Sequence, residues 1–591
     1  MNLGRLRNHT FPTSTEQDWK EAVERSLKGK GADSLLTDTY ENIILKPLYS
    51  ERTADVERPG TAPYTRGIGT NDFWLCQGNQ GENAEAVTEA VKKGIENGEN
   101  ALSFKTDSLK PEEIKEVLGN LPIEDYPVFI QANAAQQAIM GSGLAVNGAV
   151  LRDLMMEWVQ AGEMPLNEQT ALNDWLSSIA QWKQNEPEVK TIWVNTIPYH
   201  ESGADAAREI AYALAAGAEY MNAAKSTGIE PSELIDSMVF SFAIDSQFFM
   251  QIAKLRAARK LWSAVGQAYG IKECRMNIHA KTSMRNKSSY DRHVNLLRTS
   301  NEAFAALAGG CQYITVDPFD AMLQEQSSQG IRMARNIVHI LDKEAGIRYS
   351  EDPGGGSYYL EALTDELCEK AWAHFLDLER RGGIISVLKK GRIQAELFEI
   401  AQTRLENVAL RKEKIIGVNV YANPSEMRPV VPVQLPPSSR TEKVKEISRL
   451  RPIKLSSEFE VIRSMNLTWQ DEAAAERIAV IGIGDLKAYK PYTDFAKEIL
   501  ASGGLAYRLA EGIENGKEIE ELAGQPKILH LIVCGNQEDL KGDLSALSLD
   551  PHVRIYTVGD FSDSTNYQQI DRSVNIIEWL TVLSSTQEVE A

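Results

Sequence analysis

The chain has 591 residues, 43% of them hydrophobic, and a formal net charge of −20. At about 100–200 residues per domain this length holds several domains, or one large barrel and a smaller unit, with ample apolar material for a core. The acidic balance argues against a nucleic-acid partner, which calls for a basic face. The five scattered cysteines, with no CxxC pair, argue against a disulfide framework or a cysteine zinc site and fit a reducing, cytoplasmic compartment.

In chain order, the first twenty residues lack the apolar run of a secretory signal. Residues 1–60 read as an extended N-terminal arm with a helix over 16–28, which opens at Thr15 and sets Trp19, Ala22, Val23 and Leu27 on one face. Residues 61–422 alternate short β-rich runs with amphipathic helical patterns. The runs are FWLCQ (73–77), ALSFK (101–105), VFIQAN (128–133), TIWVNTI (191–197), MVFSFAI (238–244), MNIHAKT (276–282), QYITVD (312–317) and GSYYL (356–360). Eight strand–helix units predict a (β/α)8 TIM-type barrel. The longest mostly apolar stretch, AIMGSGLAVNGAVL (138–151), is too short to span a bilayer and carries Ser142 and Asn147, so no membrane role is expected. Residues 423–454 form a linker whose segment NPSEMRPVVPVQLPPSSR holds five prolines. Residues 455–591 start a second α/β pattern, with strands expected at 477–483, 505–509, 527–534 and 553–558 and a helix at 492–501. The overall class is α/β, a barrel followed by a C-terminal flavodoxin-like domain.

The turn in RIAVIGIGDLKAYKPYTDFAKEIL (477–500) lies where doubly wound sheets hold ligands. Gly482 and Gly484 give GxG, but Lys487 stands at the third glycine position of a dinucleotide fingerprint, and no GxxxxGK[ST] is present. Read locally, this is a tight strand–helix turn that uses glycine for backbone freedom. His279, on the sixth strand candidate, reads as barrel lining rather than a ligand.

Several stretches carry a resemblance that runs through the chain in order. They are FPTSTEQDWKEAVERSLKGKGADSLLTDTYENIILKPLY in the arm, YHESGADAAREIAYALAAGAEYM (199–221), HAKTSMRNKSSYDRHVNLLRTSNEAFAALAGG (279–310), EDPGGGSYYLEALTDELCEKAW (351–372) and IIGVNVYANP (415–424). Together they resemble the methylmalonyl-CoA mutase family. The resemblance implies an acyl-CoA-binding barrel joined to a cobalamin-binding-type domain, and radical chemistry supplied by adenosylcobalamin.

The family's cobalamin turn reads DxHxxG, in which the aspartate supports a cobalt-ligating histidine and the glycine lets the cofactor tail pass. Here Asp485 remains, but Lys487 replaces the histidine and Lys490 the glycine. An ammonium offers no lone pair to a metal, and a lysine fills the space left for the tail. A second departure follows the Arg66-Gly67 pair, where Ile68 to Trp74 form a shortened loop without the tyrosine of catalytic members. Tyr199-His200, in contrast, match the family's tyrosine–histidine pair, whose histidine faces the thioester carbonyl. Here they read as retained vestiges of an inactive barrel. The chain therefore resembles the small (beta) subunit of a heterodimeric enzyme. Its expected partner is a large (alpha) catalytic subunit that holds the adenosylcobalamin and the acyl-CoA, while this chain has no catalytic, cofactor-binding or metal-binding residues of its own. The arm, through Trp19 and Phe11-Pro12, is expected to contact that partner. Two other readings are a catalytic acyl-CoA mutase with atypical cobalamin binding and His200 as its electrophile, and a barrel that only senses an acyl-CoA.

Overall fold

The computed structural model describes residues 14–585 apart from 51–56, 107–108, 132–138, 140–145, 185–187, 324–325, 424–443, 468–476, 526, 541–543, 545–546 and 562–566. Phe11-Pro12 and most of the proline-rich linker lie outside the described residues.

Eight parallel strands form one curled sheet: β1 (Trp74–Leu75), β2 (Leu102–Ser103), β3 (Val128–Gln131), β4 (Gly148–Arg152), β5 (Lys190–Asn195), β6 (Met238–Ile244), β7 (Asn277–Thr282) and β8 (Tyr313–Thr315). Each pairs with its neighbours in sequence, and β8 returns to β1. The remaining seam closes just past β1 and β2, where Asn79 N donates to Ser103 O at 3.0 Å and Lys105 N to Asn79 O at 2.9 Å. Strands such as β6 are apolar along most of their length because parallel strands are covered on both faces. All seven residues of β6 are buried. Outside, the alanine-rich helix α1 (Ala206–Thr227) packs against α2 (Phe248–Ala268) and α3 (Tyr358–Arg380). Close approach is possible there because Gly217 lies under the Trp262 ring, 2.7 Å from where a Cβ would sit.

The count of eight strands holds, but its membership differs from the sequence reading. GSYYL (356–360) is not a strand. Ser357 caps α3, its hydroxyl accepting from Leu360 N at 3.4 Å, and Glu361 accepts from Gly356 N at 3.0 Å. Two adjacent tyrosines mimic β propensity, and the capping serine outweighs them. The strand in its place is β4, inside the stretch read only as apolar. Gly148 opens it at φ +109°, where a Cβ would lie 2.3 Å from Val128 O, so only glycine lets β4 reach β3.

Ahead of the barrel, Glu16–Ser26 form a helix with a reciprocal capping box between Thr15 and Asp18. Trp19, Val23 and Leu27 share a half-buried face and no residue of the helix is fully buried; Ala22 is exposed. A short antiparallel hairpin follows, Thr37–Asp38 against Ile44–Leu45.

Near the C-terminus β9 (Ile478–Ile483), β10 (Arg508–Ile513), β11 (His530–Asn536), β12 (Arg554–Asp560) and β13 (Gln568–Gln569) form a parallel sheet in the order β10-β9-β11-β12-β13. That order, with the first strand inside the second, occurs in doubly wound sheets. Val480 and Ile532 pack on one face with Ile499, Leu500 and Trp579, and Ile481 and Val533 pack on the other with Ile519. The strand expected at 505–509 begins later, at Arg508. The helix expected at 492–501 is α4 (Leu486–Ser502), which starts six residues earlier. Pro491 lies inside it, forfeits one backbone hydrogen bond near the N-terminus, and the helix runs through it.

No helix among the described residues is long and apolar enough to cross a membrane. All five cysteines are free and buried.

Candidate functional site

Barrel enzymes work at the carboxyl ends of their strands. A cavity of about 500 Å³ opens there, lined by Gln77, Gln131, Asn195, Lys281 and Asp317 over the rings of Phe129 and Trp193. Beneath it the barrel axis is filled by aromatic rings. Trp74 stacks on Tyr313 with centroids 5.5 Å apart, and Phe129 lies 4.9 Å from both Tyr313 and His279.

His279 is the centre of this plug, and its neighbours fix its tautomer. Trp193 Nε1 donates to Ser241 Oγ at 2.5 Å, and that hydroxyl donates to His279 Nδ1 at 2.8 Å. Gln131 Nε2 lies 3.2 Å from the same nitrogen. With Nδ1 accepting, Nε2 carries the proton and donates to Thr315 Oγ1 at 2.9 Å, and Thr315 donates to Cys76 O at 2.6 Å. Each donor meets an acceptor, so the imidazole is neutral and structural. Burial, then the nearby Lys281, push its pKa down to about 3. The reading of His279 as barrel lining agrees with this arrangement.

Tyr199 and His200 do sit just past the end of β5, in the short helix Ile197–Glu201, and both are buried. Neither lines the mouth cavity. Tyr199 packs on Tyr212 with centroids 4.8 Å apart, and burial followed by Asp153 raises its pKa far above the phenol value. His200 Nε2 lies 2.9 Å from Ser283 Oγ, and its Nδ1 lies 3.4 Å from Glu209 Oε2. Burial, then Arg285 alongside, lower the His200 pKa.

Glu209 is the hub that sequence reasoning missed. It accepts from Thr196 Oγ1 and Ala243 N, both at 3.0 Å, and from Lys254 Nζ at 2.7 Å. Burial works to raise its pKa, but Lys254 and then His200 outweigh it and hold the carboxylate at about 2. The sequence alone does not single out this pair, since Glu209 is one of two glutamates in α1 and Lys254 one of four basic residues in α2. The Arg66 loop is likewise a tie. Arg66 Nε donates to Asp352 at 2.8 Å, and Asn71 Nδ2 donates to Ile347 O and Ser350 O, each at 3.0 Å.

The turn after β9 is filled by its own chain. Asp485 caps α4, with Oδ1 accepting from Ala488 N at 2.9 Å, so Lys487 and Lys490 lie in the first turns of a helix rather than in an open loop. Lys490 pairs with Asp494 at 3.3 Å on the exposed face. The Tyr489 ring folds back over Gly482, where a Cβ would meet it at 2.5 Å. This arrangement does not fit the cobalamin that the family implies. The carboxylate that would orient an imidazole is spent on the cap, the ligand position holds an ammonium, and a tyrosine covers the strand end. His530 is buried at the opposite, amino end of β11. No group of three metal-ligating side chains occurs among the described residues.

Comparison with known proteins agrees with this architecture. Residues 38–466 match the methylmalonyl-CoA mutase family. The methylmalonyl-CoA mutase small subunit of Propionibacterium freudenreichii is 30% identical over 70% of this chain and 69% of its own length. The small subunit of Porphyromonas gingivalis is 27% identical over 90% and 89%. The methylmalonyl-CoA mutase of Cereibacter sphaeroides is 29% identical over 68% and 64%. With a family match across most of its length, a closed parallel barrel and close likeness to small subunits, the chain belongs to the methylmalonyl-CoA mutase family of isomerases.

Proposed function

We propose that this chain is the non-catalytic small subunit of a heterodimeric, adenosylcobalamin-dependent mutase that interconverts methylmalonyl-CoA and succinyl-CoA. The large subunit would hold the cobalamin and the acyl-CoA. The observation that carries this reading is the turn after β9, where Asp485 is committed to a helix cap and Lys487 stands where a cobalt ligand is required. The aromatic plug along the barrel axis supports it, because an acyl-CoA is a long chain and the axis offers it no room. The likeness to relatives named as small subunits supports a partner subunit for this chain. A partner that binds only the folded chain stabilises it by mass action.

The test is cobalamin retention. The chain alone and its complex with the large subunit are incubated with adenosylcobalamin, desalted and examined by absorption. The expected result is a colourless chain and a complex that keeps one equivalent. Stoichiometric retention by the chain alone would refute the assignment and favour a catalytic mutase with atypical cobalamin binding.

The arm supplies a second test. Trp19, Val23 and Leu27 form an apolar face that the described residues bury only in part, which suits packing on the large subunit. Trp19→Ala is expected to weaken the heterodimer by about 2 kcal/mol, roughly 30-fold in Kd. Titration calorimetry between the subunits reads this directly, and an unchanged Kd would remove Trp19 from the interface.

A further inference from the structure

A second cavity, of about 790 Å³, lies beside the mouth cavity at the carboxyl ends of β5 to β7, bounded by the N-terminal hairpin and α5 (Arg392–Ala409), with His200 in its lining. The segment following α2's own start contributes Phe248 and Phe249 to one wall, with Tyr359 beside them. The opposite wall carries Arg404. This arginine is only 5% exposed, yet it lines the cavity. Its Nε donates to Gly203 O at 3.1 Å, and its guanidinium lies 3.8 Å from the centroid of the Tyr40 ring. Its two terminal nitrogens have no protein acceptor and no carboxylate within ion-pairing distance among the described residues.

The carboxylates nearby are engaged elsewhere. Asp245 takes Arg285 at 2.8 Å and Gln251 at 2.7 Å. Glu413 accepts from the Tyr40 hydroxyl at 2.8 Å. Asp205 pairs with Arg208, and Glu41 accepts from Ala206 N at 3.0 Å. Burial followed by Arg285 lowers the Arg404 pKa, against the pull of Glu413, Tyr40 and Asp245, none of which bonds the terminal nitrogens. An oxyanion seated between those nitrogens would bond both and match the fork geometry.

We propose that this cavity binds a small organic oxyanion, a carboxylate or phosphate on the Arg404 guanidinium with its apolar body against Phe248, Phe249 and Tyr359. The size supports an organic ligand over a bare ion, since pockets of about 300–1,000 Å³ hold small molecules. The site shares no lining residue with the mouth cavity or with the turn after β9.

Titration calorimetry on the full chain tests it, with inorganic phosphate and benzoate as the two probes. At least one is expected to bind with a Kd of about 1 mM or tighter. Benzoate alone binding identifies a carboxylate ligand, and phosphate alone binding identifies a phosphate-bearing one. Arg404→Gln is expected to weaken binding roughly 30-fold or more. Because Arg404 also ties Gly203 and Tyr40, a second variant guards against misfolding. Thr403 is exposed on α5 and lines the cavity, so Thr403→Trp is expected to fill the entrance and abolish binding while leaving the fold intact. Failure of both probes to bind, or undiminished binding in both variants, overturns the proposal.

Discussion

Replacing Lys254 by alanine is expected to cost the barrel about 3–5 kcal/mol, because it strands the fully buried Glu209 carboxylate without its cation. Glu209 cannot escape to solvent, and its remaining partners, Thr196 Oγ1, Ala243 N and the His200 imidazole 3.4 Å away, are neutral at neutral pH. Glu209→Gln is expected to be costly as well, since it leaves the Lys254 ammonium buried. The double variant Lys254→Ala with Glu209→Gln removes both charges, and glutamine retains an acceptor for Ala243 N. Its cost should therefore fall at least about 2 kcal/mol short of the sum of the singles. Urea unfolding followed by tryptophan fluorescence provides the comparison, and strict additivity would show that the two groups do not act as a pair. The pH response has a definite sign. The folded pKa of about 2 lies below the unfolded value, so this stabilisation is present above about pH 4.3 and is lost as pH falls towards the folded pKa. At neutral pH the pair is intact, which suits a structural strut and removes His200's neighbour from proton chemistry.

The long strands were the legible part of this fold. MVFSFAI and TIWVNTI are mostly apolar or β-branched, MNIHAKT alternates apolar and polar residues, and each forms a barrel strand within a residue or two of its expected bounds. β4 was hidden because its five residues lie in a glycine-rich apolar run, where burial on both faces removes the alternation that marks a strand. The start of α4 was hidden by Pro491, although Asp485 is an ordinary N-cap residue. At the candidate sites, the lysines of the degenerate turn were legible by residue type, since what a lysine cannot do follows from its chemistry. The role of Asp485 was not, because a capping carboxylate and a histidine-supporting one are the same letter. Arg404 carried no signal at all. An arginine on an amphipathic helix reads as a solvated charge, and only Tyr40, from the distant N-terminal hairpin, turns it into a buried one.

His279→Gln should flatten the acid limb of the stability profile. In the folded chain the imidazole is neutral, its Nδ1 accepting from Ser241 and its Nε2 donating to Thr315, and its pKa lies at about 3. Unfolded, it returns to about 6.5. Between those values the unfolded chain binds the extra proton, so stability rises with pH there and is lost as pH falls below about 6.5. The slope from this one group is about 1.4 kcal/mol per pH unit, or about 2 kcal/mol between neutrality and pH 5. His200 and His530 are also lowered by burial and contribute in the same direction, so the variant is expected to lose one part of the slope rather than all of it. Denaturant melts at several pH values compare the two proteins, and the proton uptake linked to unfolding near pH 5 should fall by about one in the variant. An unchanged slope would mean that water reaches the imidazole and that the axis is open. A reduced slope would show that the axis stays dry around this group: a histidine that remains neutral from pH 8 to pH 5, with both nitrogens bonded, is not free to act as general acid or base.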